Sequence, residues 1–81
     1  MLNKNLIRTL VDRVWNPEVI VKVTENEIVV CDDNGKPDYN IIIEGEAVVR
    51  VEMKRGFKAL DYYDLRFINL IDENASEIEV A

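Results

Sequence analysis

The chain has 81 residues, of which 48% are hydrophobic, and a net charge of −6 at pH 7. This length supports one hydrophobic core, so we expect a single domain over residues 1–81 and no separate catalytic domain. One cysteine and no histidine exclude an internal disulfide and a zinc site built on the usual Cys and His spacings. No nucleophile motif, phosphate-binding loop or converging carboxylate pair is visible. We therefore expect neither enzymatic activity nor a bound cofactor or metal.

Charge and hydropathy also bear on location. Residues 1–15 interleave charged and apolar side chains, and no run approaches the ~20 apolar residues that span a bilayer. We therefore expect a cytoplasmic protein that makes no contact with a membrane. The surplus of acids argues against direct binding to nucleic acid, which needs a surplus of Lys and Arg on one face.

The first predicted element is an amphipathic helix that ends near Trp15. Asn3 or Asn5 can cap its start, and Pro17 disfavours a helical conformation at the residue before it. Its apolar positions follow one helical stripe, namely Leu6, Ile7, Leu10, Val11, Val14 and Trp15.

Two strands are predicted between residues 18 and 31, because apolar and polar side chains alternate there. A connecting loop of two or of four residues gives the same register. In both cases Val23 lies opposite Ile28, and Val21 lies opposite Val30.

The segment from Asp32 to Asp38 is the strongest turn signal, since it contains Asn, Gly and Pro in close succession. Its acids resemble a calcium loop only superficially, because the ligand spacing of such loops is missing. We interpret the segment as an acidic connection between two hairpins.

The second predicted hairpin runs through the apolar positions on either side of Gly45. A three-residue loop of Glu44, Gly45 and Glu46 keeps the apolar side chains of both strands on one face. The pairs predicted by this loop are Ile43 with Ala47, Ile41 with Val49, and Tyr39 with Val51.

The same register makes Ile42 and Val48 partners on the opposite face of the sheet. A solvated sheet face should be polar, so two apolar partners there call for an explanation. Either the segment 58–72 covers this face, or the face is a binding or dimerisation surface.

The C-terminal region is the most ambiguous part of the pattern. A second helix near 58–72 is favoured over a strand, and Ser76 to Val80 alternates like a short terminal strand. The predicted fold class is thus α+β, with an N-terminal helix packed on a four- to five-stranded antiparallel sheet and a second helix near 58–72.

The acids at the predicted turns suggest a small protein-binding module whose partner is basic. One version is an inhibitor that imitates nucleic-acid charge, as small phage-encoded anti-defence proteins do; this analogy rests on size and charge alone. It gains weight if the acids gather at one end of the sheet. The candidate contact residues are Glu25, Glu27, Asp32, Asp33, Asp38, Glu44 and Glu46.

Two alternatives use other residues. A structural or assembly module would form a homodimer through the apolar face that carries Ile42 and Val48. A nucleic-acid binder would use the basic segment 50–58, although the acidic surroundings disfavour it. The bases of that segment are Arg50, Lys54, Arg55 and Lys58.

Overall fold

The computed structural model describes residues 1–15, 19–44, 47–56 and 59–79, and its architecture is α+β as predicted. The strands form one antiparallel sheet in the order β1-β2-β3-β4. None of the helices in these ranges has the length and apolar character needed to cross a membrane. The elements are α1 (Lys4–Val14), β1 (Val21–Val23), β2 (Glu27–Cys31), β3 (Pro37–Glu44), β4 (Ala47–Met53), α2 (Tyr62–Glu73) and α3 (Ala75–Ile78).

Helix α1 begins and ends as its sequence predicts. The backbone N–H of Leu6 donates to Asn3 Oδ1 at 3.1 Å, so Asn3 is the capping residue. At the other end the N–H of Trp15 donates to the carbonyl of Val11 at 2.9 Å. The predicted stripe is buried at Ile7, Leu10, Val11 and Val14.

The first hairpin is also confirmed. The turn that follows it is shorter than predicted, because Pro37 and Asp38 already belong to β3. Val23 pairs with Ile28 and Val21 with Val30, as predicted. In the turn, Gly35 has a φ of +81°, a left-handed conformation that a glycine adopts without the steric cost of a side chain.

The second hairpin has a different register from the predicted one. Glu44 pairs with Ala47 and so belongs to the ladder, which makes the three-residue loop wrong. Further along, a β-bulge shifts the register, and Ile41 pairs with Val51 instead of Val49. The offset of two residues leaves Ile41 and Val51 on the same face. The other observed pairs include Ile43 with Val48, Ile42 with Arg50, and Tyr39 with Met53.

The predicted C-terminal strand is wrong, because Ala75–Ile78 forms the short helix α3. Ala75 and Ile78 lie three residues apart and are both buried, so one helical turn directs both into the core. The chain then returns to its start, where the N–H of Asn3 donates to the carbonyl of Ile78 at 2.7 Å.

Both long helices pack on the same face of the sheet. Leu10 of α1, Ile41 of β3 and Phe67 of α2 belong to one buried cluster. Helix α2 therefore does not cover the face that carries Ile42, and the expectation that segment 58–72 would cover it is wrong. In the described part of the chain that face has no helix against it.

Burial of Phe67 gives a test of this packing. Phe67 is fully buried, and its ring centroid lies 5.0 Å from that of Trp15. We expect Phe67→Ala to lower the free energy of unfolding by about 3–5 kcal/mol, because it leaves a cavity between helix and sheet. Urea unfolding followed by Trp15 fluorescence measures this change. Arg66→Ala, on the exposed side of α2, is the matched control, and equal losses in the two variants would contradict the packing.

Candidate interaction surfaces

The seven predicted turn acids are divided between the two ends of the sheet. Because the strands run up and down in sequence order, Glu25, Glu27 and Glu44 lie at one end, and Asp32, Asp33 and Asp38 at the other. The seventh, Glu46, lies outside the described residues. The eight-residue strand β3 spans the two ends, a distance of about 23 Å, which exceeds the ~8 Å screening length at physiological salt. The described acids therefore form two separate groups.

At the Asp32 end of the sheet, the carboxylates of Asp32 and Asp38 make contacts within the chain. Asp32 Oδ1 accepts the N–H groups of Asn34 and Lys36, both at 2.9 Å. Its Oδ2 lies 2.7 Å from the Arg55 guanidinium, which also lies 3.3 Å from Asp38 Oδ1. The Lys36 and Asn34 N–H groups, together with Arg55, keep the pKa of Asp32 below its usual value. Asp32 and Asp38 are thus occupied by internal contacts.

A cleft of about 350 Å³ lies beside these residues and is bordered by further acids, including Asp33 and Asp61. Cys31 also borders it, but its side chain is buried, and this burial raises the pKa of the thiol. Over the described ranges, no group of three Cys, Asp or Glu side chains is arranged to hold a metal ion. The cleft is lined mainly by carboxylates, with Arg55 among them.

The predicted basic segment is largely paired with acids. Arg50 lies 3.1 Å and Lys54 3.4 Å from the carboxylate of Glu52. Arg55 is held by the acids of the turn, and Lys58 lies outside the described residues. The bases therefore do not present a row of uncompensated charge to a phosphate backbone.

The apolar sheet face is less open than the sequence predicted. Ile42 is only 7% exposed, and its cross-strand neighbours are Glu27 and Arg50. The aliphatic stems of such long side chains shield apolar neighbours. For Val48 the structure describes the backbone pairing alone, and its partner is Ile43, so the predicted pair with Ile42 is wrong.

Asp64 connects α2 to β3, one of the two central strands of the sheet. Its Oδ2 accepts the N–H of Asp61 at 3.1 Å, and Asp61 Oδ1 accepts the N–H of Asp64 at 2.9 Å, which together form a capping box. Its Oδ1 accepts the phenol O–H of Tyr39 at 2.8 Å. Burial and the neighbouring Asp64 carboxylate raise the pKa of Tyr39 far above its ordinary value.

Apart from Met1 at the chain start, the first turns of α2 carry the most exposed large apolar side chains among the described residues. Tyr62 is 70% exposed, and Tyr63 and Leu65 are each 50% exposed. The two tyrosine rings meet edge to face, with centroids 5.6 Å apart. A shallow depression of about 440 Å³ runs along this side of the helix, which we call the α2 outer face; it is lined by Tyr62, Leu65, Arg66, Asn69, Leu70 and Glu73.

The sequence pattern favours a helix near 58–72 without fixing its start, and so it does not identify this surface. The spacing from Asp61 to Asp64 was the available signal, since an Asp at a helix start and a second acid three residues later form a capping box. With the helix start fixed at Tyr62, the positions of Phe67 and Ile71 define the core side. Leu65 then falls on the outer side.

Comparisons with known proteins add no assignment: no family model, curated protein or solved structure matches this chain. Any functional conclusion therefore rests on the surfaces described above.

The buried Tyr39 phenol makes stability depend on alkaline pH. The pKa of Tyr39 is raised in the folded state, so its neutral phenol stabilises the folded protein. This contribution to the free energy of unfolding is fully present below pH ~10, the pKa of a free tyrosine, and is lost as pH rises above that value. We expect the urea midpoint of the wild type to fall more steeply between pH ~9.5 and ~11.5 than that of Tyr39→Phe. Tyr62→Phe, at an exposed phenol, should follow the wild type. Parallel curves for wild type and Tyr39→Phe would contradict the coupling.

Proposed function

We propose that the protein is a small protein-binding module whose main contact surface is the α2 outer face. The observation that carries this proposal is the exposure of Tyr62 and Leu65 on this face, with the half-exposed Tyr63 in edge-to-face contact with Tyr62 beside it. Tyrosine and arginine are enriched at the energetic centres of protein interfaces, and Arg66 lies on the same side. The Asp64 hydrogen bonds fix the start of the helix, so little ordering entropy is lost on binding.

The acids have a secondary role in this proposal. Asp32 and Asp38 are engaged internally, and the described acids form two groups, so we do not place the binding energy on one charge-mimicking surface. The net charge of −6 instead steers a basic partner by long-range attraction. A cytoplasmic inhibitor of a basic target is the version of this function that agrees best with the charge.

The other two functions receive less support. Direct binding of nucleic acid would need Arg50, Lys54 and Arg55, which lie beside Glu52, Asp32 and Asp38. Dimerisation through an apolar sheet face would need an exposed Ile42, which is almost fully buried.

The proposal is tested by comparing what the wild type and an α2 variant retain from a lysate of the source cells. We expect the double variant Tyr62→Ser/Leu65→Ser to lose the specific partner, with at least tenfold less of it quantified by mass spectrometry. Loss of two central apolar contacts costs about 2 kcal/mol each at a typical hot spot. The purified partner then allows the change in Kd to be measured directly.

Arg8→Ser/Thr9→Ser is the matched control, because both residues are exposed on a helix and the variant again replaces two surface side chains by serine. All three proteins should unfold at closely similar urea concentrations, since exposed substitutions change stability little. Equal retention of the same partner by the wild type and both variants would contradict a contact through α2.

A further inference from the structure

The pairing of β4 with β3 determines which backbone N–H and C=O groups of β4 point outward from the edge of the sheet. β4 is the last strand of the sheet, and no strand in the described ranges pairs with its outer side. The N–H of Lys54 donates to the carbonyl of Asp38 at 2.9 Å, so the backbone groups of residues 50, 52 and 54 face β3. The N–H and C=O groups of Val51 and Met53 therefore point outward, away from the sheet. An edge of this kind is a template for another strand.

The charges on β4 discriminate between the ways in which two copies could pair there. Antiparallel pairing places residues of the same sheet face opposite each other. In a symmetric dimer the two-fold axis therefore passes between the two copies of one residue, which lie opposite each other. An axis at Arg50 sets two arginines against each other, and an axis at Glu52 sets two glutamates against each other. An axis at Val51 places Arg50 of each copy opposite Glu52 of the other.

Dimer registers whose two-fold axis lies outside the segment from Arg50 to Glu52 pair fewer residues of β4. Those beyond Glu52 run past the end of β4 at Met53, and those before Arg50 enter the bulge at Val49. The register centred on Val51 is thus the one in which the hydrogen-bonding phase, the regular part of the strand and the charges agree. Arg50 and Glu52 form a non-hydrogen-bonded pair in it, the type in which opposing side chains lie closest.

We propose that two copies of this chain pair antiparallel along β4, with Val51 on the two-fold axis. The N–H of Val51 in each copy donates to the carbonyl of Val51 in the other. Each Arg50 already lies 3.1 Å from Glu52 of its own chain, and in this register it also faces Glu52 of the other copy. The two resulting groups of alternating charge flank these hydrogen bonds on the face that also carries Ile42. The result is a continuous eight-stranded sheet with a small interface, typical of a weak, concentration-dependent dimer. This association does not require a partner bound at the α2 outer face.

Charge reversal tests the register directly. We expect the wild type to dimerise in sedimentation equilibrium as its concentration rises to ~1 mM, and R50E and E52R each to associate at least about tenfold more weakly, because like charges then face each other twice. An equimolar mixture of R50E and E52R should associate again, since each acid of one variant meets a base of the other. The double variant R50E/E52R should dimerise alone.

The mixture is the decisive sample, because a merely structural role of Arg50 or Glu52 would not be rescued by a second damaged chain. A wild type that stays monomeric to ~1 mM overturns the proposal and leaves the α2 proposal untouched. So does a mixture that fails to associate. A dimer that survives R50E but is lost in Leu65→Ser overturns it as well, and would locate self-association on α2.

Discussion

The Asp64 carboxylate is the interaction on which the arrangement of helix and sheet depends. One oxygen closes the capping box at the start of α2, and the other accepts the buried O–H of Tyr39 on β3. Charge-assisted hydrogen bonds of this kind are stronger than neutral ones, and losing one partner would leave a buried polar group without compensation. The start of α2 is thereby fixed over the middle of the sheet.

Two consequences follow from this anchor. The side of α2 that contains Asp64 also contains Phe67 and Ile71, which are fully buried in the shared core. Tyr62 and Leu65 must then lie on the opposite side, in solvent. The exposed surface is thus a geometric consequence of how the core is anchored, and the same hydrogen bonds position the helix start that carries it.

Sequence reasoning succeeded where local chemistry decides the conformation. The Asn3 cap, the Val23 to Ile28 register and the turn at Gly35 each follow from a few neighbouring residues. It failed where the conformation depends on one extra residue in a strand or on a tertiary contact. The bulge on β4 has no residue signature, because Val48 and Val49 suit either register equally well.

The C-terminal segment shows the same limit in another form. Glu77, Ile78 and Glu79 alternate as a strand would, yet burial of Ala75 together with Ile78 in the core selects a helical turn. A four-residue segment has too little intrinsic preference to resist such packing. The candidate surface on α2 was not identified because the start of the helix was left open, although the spacing from Asp61 to Asp64 is a helix-start signal.

The two proposed surfaces have a defined relation to each other. In an antiparallel pair the residues opposite each other share a face, so a two-fold axis through Val51 runs perpendicular to the sheet. Helix α2 of each copy then lies on the same side of the eight-stranded sheet, because both copies bury the same face. A dimer therefore presents two α2 outer faces side by side to one partner surface. When one α2 outer face of the dimer is bound to such a partner, the other α2 outer face meets its site at a high effective concentration. Weak association along β4 would thereby strengthen binding to the partner. The small size of the edge contact is consistent with a module that pairs chiefly when its partner offers two sites.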